Sequence, residues 1–147
     1  MMIGYWNRPE ATDEKFRGDW MLTGDRGQWE GGYLRFVGRE DDVITSAGYR
    51  IGPAEIEDCL LRHPSVAMAA VIGVPDPLRT EAVQAHVVLK TGALATESDL
   101  QTHVRTRLSA HLVPRVIRFE TELPMTVTGK IIRKEIKRTA TLKGVSP

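Results

Sequence analysis

The sequence predicts an α+β fold: a short central β-sheet covered by helices on both faces, preceded by a β-rich segment of different character. Three observations lead there. Between Ile3 and Arg39 lie seven glycines and all three tryptophans, with no helical apolar period. The run Val66–Val74 (VAMAAVIGV) is almost wholly apolar, which suits a strand covered on both sides. Apolar residues at helical spacing flank it, as Ile56, Cys59 and Leu60 before it and Leu100, Val104 and Leu108 after it.

The first segment carries short apolar pieces, Trp20–Leu22 and Tyr33–Val37, bounded by Gly and Asp. That is the pattern of a small β-meander, too slight to make a core alone. From Asp42 onward the order reads βαββαβα. Val43–Ser46 is a short β-branched strand, and Gly52-Pro53 opens a helix with Pro at its first position, where a missing N–H costs nothing. That helix stops at His63-Pro64. Pro75-Asp76-Pro77 ends the apolar strand. Val83–Leu89 alternates as a second strand with Val83, Ala85, Val87 and Leu89 on one face. Thr96 and Asp99 have the spacing of a capping box. Val116–Phe119 is a further short strand, and Ile131–Thr139 a final basic helix.

Composition narrows the function classes. The chain has 147 residues, 41% hydrophobic, with 20 Lys+Arg against 19 Asp+Glu. Such a chain is too apolar and too balanced for disorder, and its net charge of +1 argues against a dedicated nucleic-acid binder. No run of about 18 apolar residues offers a membrane span. The start, MMIGYWNRPEATDEK, lacks the basic and apolar regions of a secretory signal. One cysteine excludes a disulfide framework, so a cytoplasmic protein is expected. His63, His86, His103 and His111 form no i, i+4 pair, so no metal site is expected and satisfied or exposed histidines are. Cys59 reads as a small core residue. The tail Lys130, Arg133, Lys134, Lys137, Arg138 and Lys143 reads as a solvated helix end, since no aromatic residues interleave it.

Three glycine-bearing motifs remain. Thr23-Gly24-Asp25 alone is a common turn. GREDDVI followed by SAGYRIGPAEIE sets Arg39 and Arg50 around a short strand, with Gly48 beside the second. Guanidinium forks suit phosphate or carboxylate, although a solvated turn with a positive-φ glycine explains the same residues. LPMTVTGK presents Lys130 from a Pro/Thr/Gly loop just before a helix. Such a loop can carry a point charge to an anion, or simply expose a lysine.

In order and at these spacings, the set resembles the C-terminal part of the adenylate-forming superfamily of acyl-CoA synthetases, peptide-synthetase adenylation domains and luciferases. The resemblance runs from about Gly4 to Lys137 through GYWNRPEATDEKF…GDWMLTGD, GREDDVITSAGYRIGPAEIE, GVPDPLRTEAV and ELPMTVTGKIIRKEI. GYRIGPAEIE with TVTGKI looks most like the medium-chain type of acyl-CoA synthetase. The resemblance implies residues 1–41 as the β-rich end of a large N-terminal adenylation domain and 42–147 as its small C-terminal domain. It implies Lys130 as the adenylation lysine, with Asp25, Arg39 and Arg50 on the nucleotide. It implies Asp41 as the hinge about which the small domain rotates between two half-reactions, and Gly48, Tyr49 and Arg105 on the CoA channel. The substrates would be a small-molecule carboxylic acid, ATP with Mg2+, and CoA, with none held by this chain alone.

Some residues depart from the pattern. Met125 stands where many relatives carry Lys or Arg, and Thr80 where Gly is usual. Ala110–Pro114 replaces a Tyr-Lys-type stretch that can border the CoA nucleotide. The phosphate loop, adenine pocket and acyl pocket of the large domain have no counterpart in the chain. A fragment inactive by itself is therefore expected, with the missing domain as its partner and self-association possible through the exposed first segment. The alternatives are the same portion of a peptide synthetase, and a free-standing domain that binds nucleotide, CoA or a protein without catalysis.

Overall fold

A computed structural model describes residues 2–143. The chain divides into two compact units, Met1–Asp41 and Asp42–Pro147.

The first unit is mostly small hairpins. β1 (Phe16–Arg17) pairs with β2 (Trp20–Met21), and β3 (Asp25–Glu30) with β4 (Tyr33–Arg39). Gly31 and Gly32, at φ +58° and +85°, make the two-residue turn whose twist matches an antiparallel ladder. The expected all-β reading is corrected by one short helix, α1 (Pro9–Asp13). Pro9 sits in its first turn, and Thr12 closes it by donating to the Arg8 carbonyl and accepting from the Tyr5 amide. Every residue of β3 is exposed, and Trp29 and Tyr33 keep 73% and 80% of their surface.

The second unit holds the core. β5 (Ile44–Ser46) and β6 (Tyr49–Ile51) form a hairpin. β6 is absent from the expected order βαββαβα, which becomes ββαββαβα. Its three residues are too few to show a period, and Ala47-Gly48 is a weak turn signal. α2 (Pro53–Leu61) leads to β7 (Val66–Asp76), which pairs along its length with β8 (Thr80–Leu89). α3 (Glu97–Arg105) carries the chain back to β9 (Val116–Phe119), parallel to β8. The sheet order is β6-β5-β8-β7, with β9 also on β8. α3 opens on the expected capping box: the Asp99 amide donates to Thr96 Oγ1, and the Thr96 amide to Asp99 Oδ2. The Thr96 hydroxyl, which donates to Asp99 Oδ2 at 2.7 Å, and then the Thr96 amide hold the Asp99 carboxyl below its ordinary range.

The alternation of β7 and β8 decides the layers. Ala69, Val71, Val83, Ala85 and Val87 face a core closed by Ile56, Cys59 and Leu60 of α2 and Leu100 and Val104 of α3. Ala70 and Ile72 face the other way, onto Leu123 and onto Ile136 of α4 (Arg133–Lys143). Helices thus cover both faces, as expected. Several boundaries move: β7 runs through Pro75 to Asp76, and β8 starts at Thr80 rather than Val83. Leu108 lies beyond the end of α3, though it still packs on the core. The last helix starts at Arg133 rather than Ile131, because Ile131 is bridged to Met125.

Thr80 sits at φ +73°, in the left-handed region that a β-branched residue avoids. A glycine at this position would adopt that conformation without the strain. Thr80→Gly should remove a cost of about 1–2 kcal/mol, set against roughly 0.5–1 kcal/mol of added chain entropy in the unfolded state. The net gain of about 0.5–1 kcal/mol corresponds to a rise of a few degrees in melting temperature. A variant melting at or below the parent would show that the threonine side chain offsets its own strain.

Candidate functional site

In the first unit, Asp25 and Arg39 are directly opposed across the β3–β4 ladder. Cross-strand partners stand about 4.5–5.5 Å apart at Cβ, so one face offers a carboxylate beside a guanidinium. Asp25 donates its amide to Thr23 Oγ1, which shapes the Thr-Gly-Asp turn. Arg39 Nη2 lies 3.9 Å from Asp41 Oδ2. A cavity of about 490 Å³ lies in the same unit, lined by Tyr5, Arg8, Lys15, Leu22, Gly24 and Asp41 among others. Asp25, Arg39 and Asp41, dispersed through a glycine-rich sequence, thus lie near one another.

In the second unit, Gly48 and Tyr49 sit at the tip of the β5–β6 hairpin, and Arg50 opposes Thr45 one register step on. Ala47 and Gly48 both have positive φ, +48° and +83°, a turn of the primed type. A Cβ built on Gly48 would meet nothing within 4 Å, so in this chain glycine answers to backbone conformation. The Tyr49 ring stacks on His111 at 4.2 Å between centroids, with planes 12° apart. That contact, missed in the sequence, brings the Ala110–Pro114 stretch against the hairpin. Arg105 is exposed in the last turn of α3.

Lys130 is carried on a loop stitched by its own bonds. The Thr126 amide donates to the Lys130 carbonyl at 2.8 Å, the Lys130 amide to Thr126 Oγ1 at 3.0 Å, and the Gly129 amide to the Thr126 carbonyl at 2.9 Å. Gly129 takes φ +80° to close the turn. The threonines of Thr126-Val127-Thr128 are themselves bonded, Oγ1 to Oγ1, at 2.9 Å. Only the main chain of Lys130 enters this network, so its exposed ammonium is a charge on a shaped support.

Arg133, three residues on, corrects the reading of the tail as a solvated helix end. Its Nε and Nη2 donate to the two oxygens of Glu57 at 3.1 and 2.6 Å, and Nη1 to Asp42 at 3.3 Å. Glu57 is buried and also accepts the Val71 amide at 2.8 Å. Burial works against the Arg133 charge, but the bonds and field of Glu57, with those of Asp42, outweigh it and raise its pKa. The sequence signal was available: an acidic residue at a helical position that the apolar stripe should occupy. The side chain of Lys143, last of the expected basic tail, lies outside the described residues.

The histidines are engaged in the fold. Buried His86 contacts Gln84 Nε2 at 2.8 Å through one ring nitrogen and Glu120 at 2.9 Å through the other. His103 Nε2 donates to the Cys59 carbonyl at 3.0 Å, and His63 meets its ring edge-on. Burial lowers the His103 pKa, and the Cys59 bond opposes this. Burial also pushes the Cys59 thiol up, which fits an inert core residue. Among the described residues, no group of three or more His, Cys, Asp or Glu could hold a metal ion, and no helix is long and apolar enough to cross a membrane.

Comparison with known proteins bears on the family of the chain. The mitochondrial acyl-coenzyme A synthetase ACSM1 of Homo sapiens is 47% identical, across 96% of this chain and 26% of its own length. The 4-hydroxybutyrate–CoA ligase 1 of Metallosphaera sedula is 46% identical, across 94% and 25%. The chain therefore spans about a quarter of the length of the curated relatives it matches. Among solved structures, the anthranilate CoA ligase AuaEII in complex with anthranoyl-AMP superposes with a TM-score of 0.89 at 35% identity, over 98% of this chain and 29% of that one. The amide bond synthetase McbA of Marinactinospora thermotolerans gives 0.83 at 37%, over 95% and 28%. Residues 55–130, from the first turn of α2 to the loop lysine, match the AMP-binding enzyme C-terminal domain, and the chain belongs to that family.

Proposed function

We propose that this chain is the C-terminal portion of an AMP-forming acyl-CoA synthetase, which turns carboxylate, ATP and CoA into acyl-CoA, AMP and pyrophosphate. The observation that carries the reading is Lys130: an exposed ammonium on a self-stitched loop, at the end of the matched family region. In the first half-reaction a carboxylate attacks the α-phosphorus of ATP, bringing an anion to a polyanion. A preorganised cation at the oxygens where charge builds lowers that barrier. Lys130 supplies it, Asp25 accepts from the ribose hydroxyls, and Arg39 and Arg50 face the phosphates. Mg2+ arrives with ATP as part of the substrate.

In the second half-reaction the CoA thiol attacks the acyl carbon and AMP leaves. Residues 42–147 rotate about Asp41, withdrawing Lys130 and bringing Gly48, Tyr49 and Arg105 to the thiol channel. The partner is the large N-terminal domain that carries the adenine and acyl pockets. The compartment proposed is the cytoplasm, on the strength of the single cysteine; the human relative's name places that protein in mitochondria.

The test joins this chain to the rest of its reading frame and measures AMP and thioester with a panel of carboxylic acids. Acid-dependent AMP release with CoA consumed in equal amount is expected, while the 147-residue chain alone stays at background. Release of AMP with an amine as acceptor and no thioester would move the enzyme to the amide-forming kind. Turnover by the isolated chain would overturn the reading of residues 1–147 as one part of a larger site.

A further inference from the structure

The half-buried Arg133–Glu57–Asp42 cluster joins four places that the proposed reaction treats separately. Asp42 is the first residue of the second unit, next to the proposed hinge Asp41. Glu57 lies on α2, and its Oε1 is also bonded to the Val71 amide in the middle of β7. Arg133 is the first residue of α4 and lies three residues beyond Lys130. Between them, the Ile132 amide donates to the Pro124 carbonyl at 2.8 Å and ties off the base of the lysine loop.

We infer that Arg133 is a positioning residue, fixing the base of the Lys130 loop to the chain segment that leaves the hinge, so that Lys130 moves with the second unit as one rigid piece. The inference rests on the proposed function for its catalytic consequence, and on the observed bonds for its structural one.

The chemistry favours this role over mere cohesion. A guanidinium gives parallel donors in a fixed plane, so the two bonds to Glu57 set the orientation of the first turn of α4 as well as its distance. Its remaining nitrogen is turned to Asp42. The loop bonds to itself, so its shape is local, but its direction depends on the residues at its base. A lysine reaching for a transition state from a base free to swing would lose much of its benefit, since about 1 Å of misplacement can cost roughly 10²-fold in rate.

Three variants and two measurements test it. Arg133→Lys keeps the charge and loses the fork. Asp42→Asn weakens only the arm beside the hinge. The double variant Glu57→Gln, Arg133→Met removes both charges at the buried Glu57 position while the amide oxygen still serves Val71, and leaves only the Asp42 carboxylate, which keeps 18% of its side-chain surface, without its cation.

Hydrogen exchange on the 147-residue chain is the first measurement. In Arg133→Lys and in the double variant, the amides of Thr126, Gly129, Lys130 and Ile132 and of residues 42–46 should exchange about tenfold faster, with the β7–β8 centre unchanged. Half-reaction rates in the joined enzyme are the second. Adenylation should fall about 10–10²-fold in all three variants, and thioester formation from supplied acyl-adenylate should stay within a few-fold.

Unchanged loop exchange, or acceleration spread evenly through the core, would overturn the positioning role. So would equal loss of both half-reactions together with melting temperature. A loosened loop in an enzyme whose parent form adenylates no carboxylate would support the mechanical tie and sink the acyl-CoA reading instead.

Discussion

Lys130→Ala in the joined enzyme is expected to slow adenylation about 10²–10³-fold, roughly 3–4 kcal/mol, and to leave thioester formation from supplied acyl-adenylate nearly intact. The size follows from removing one preorganised charge at the point where two anions meet. The selectivity follows from the proposed rotation, which withdraws the lysine before the thiol arrives. The loop should survive the change, because it is closed by the main chain of Lys130 and by Thr126, neither altered by alanine. A stability within about 0.5 kcal/mol of the parent is therefore expected, as for an exposed side chain away from structural contacts. Pyrophosphate exchange and thioester assays on one preparation separate the outcomes. Equal damage to both would make Lys130 part of the architecture rather than of the first step.

Gly48→Leu is expected to do the opposite, cutting thioester formation about 10²-fold or more while pyrophosphate exchange persists. The structure sharpens this test. Gly48 is at φ +83°, so leucine is strained there by about 1–2 kcal/mol wherever the thiol passes. The space around its missing Cβ is open, so the added carbons meet nothing inside this chain. Gly48→Asn separates the two causes, because asparagine tolerates the left-handed conformation and still fills space. Both variants should lose thioester formation, and only leucine should lose several degrees of melting temperature. Asparagine restoring full thioester activity would leave Gly48 as a turn residue and remove it from the channel.

Much of this fold was legible in the sequence, for physical reasons that differ between elements. The capping box before α3 and the run Val66–Val74 were readable because local chemistry and burial on both sheet faces leave direct marks. β6 was not, since three residues carry no period and its partner is set by the turn at Ala47-Gly48. α1 was hidden by its five-residue length and rests on Pro9 and Thr12. In the candidate site, Lys130 and the hairpin glycine could be singled out from motif order. The opposition of Asp25 and Arg39 depends on a strand register containing a bulge between Arg26 and Gly27, which sequence alone does not set. The Arg133 cluster is harder still. Its partners are 76 and 91 residues away, and surface and buried arginines look alike until the chain has folded.

Glu57 has one more consequence, for solubility. β7 ends the row of strands, and it is among the most apolar stretches of the chain. A strand in that position offers unspent amides to any extended segment of another molecule. Here helices α2 and α4 pack against β7, leaving Ala70, Val71 and Ile72 with no exposed surface. The Val71 amide, not spent on β8, is taken by the Glu57 carboxylate. The carboxylate is in turn held in place by Arg133, so the ion cluster acts as a stopper on the sheet's open side. Loosening it would uncover a sticky edge in an otherwise folded molecule, and aggregation from a native-like state would follow at temperatures well below global melting.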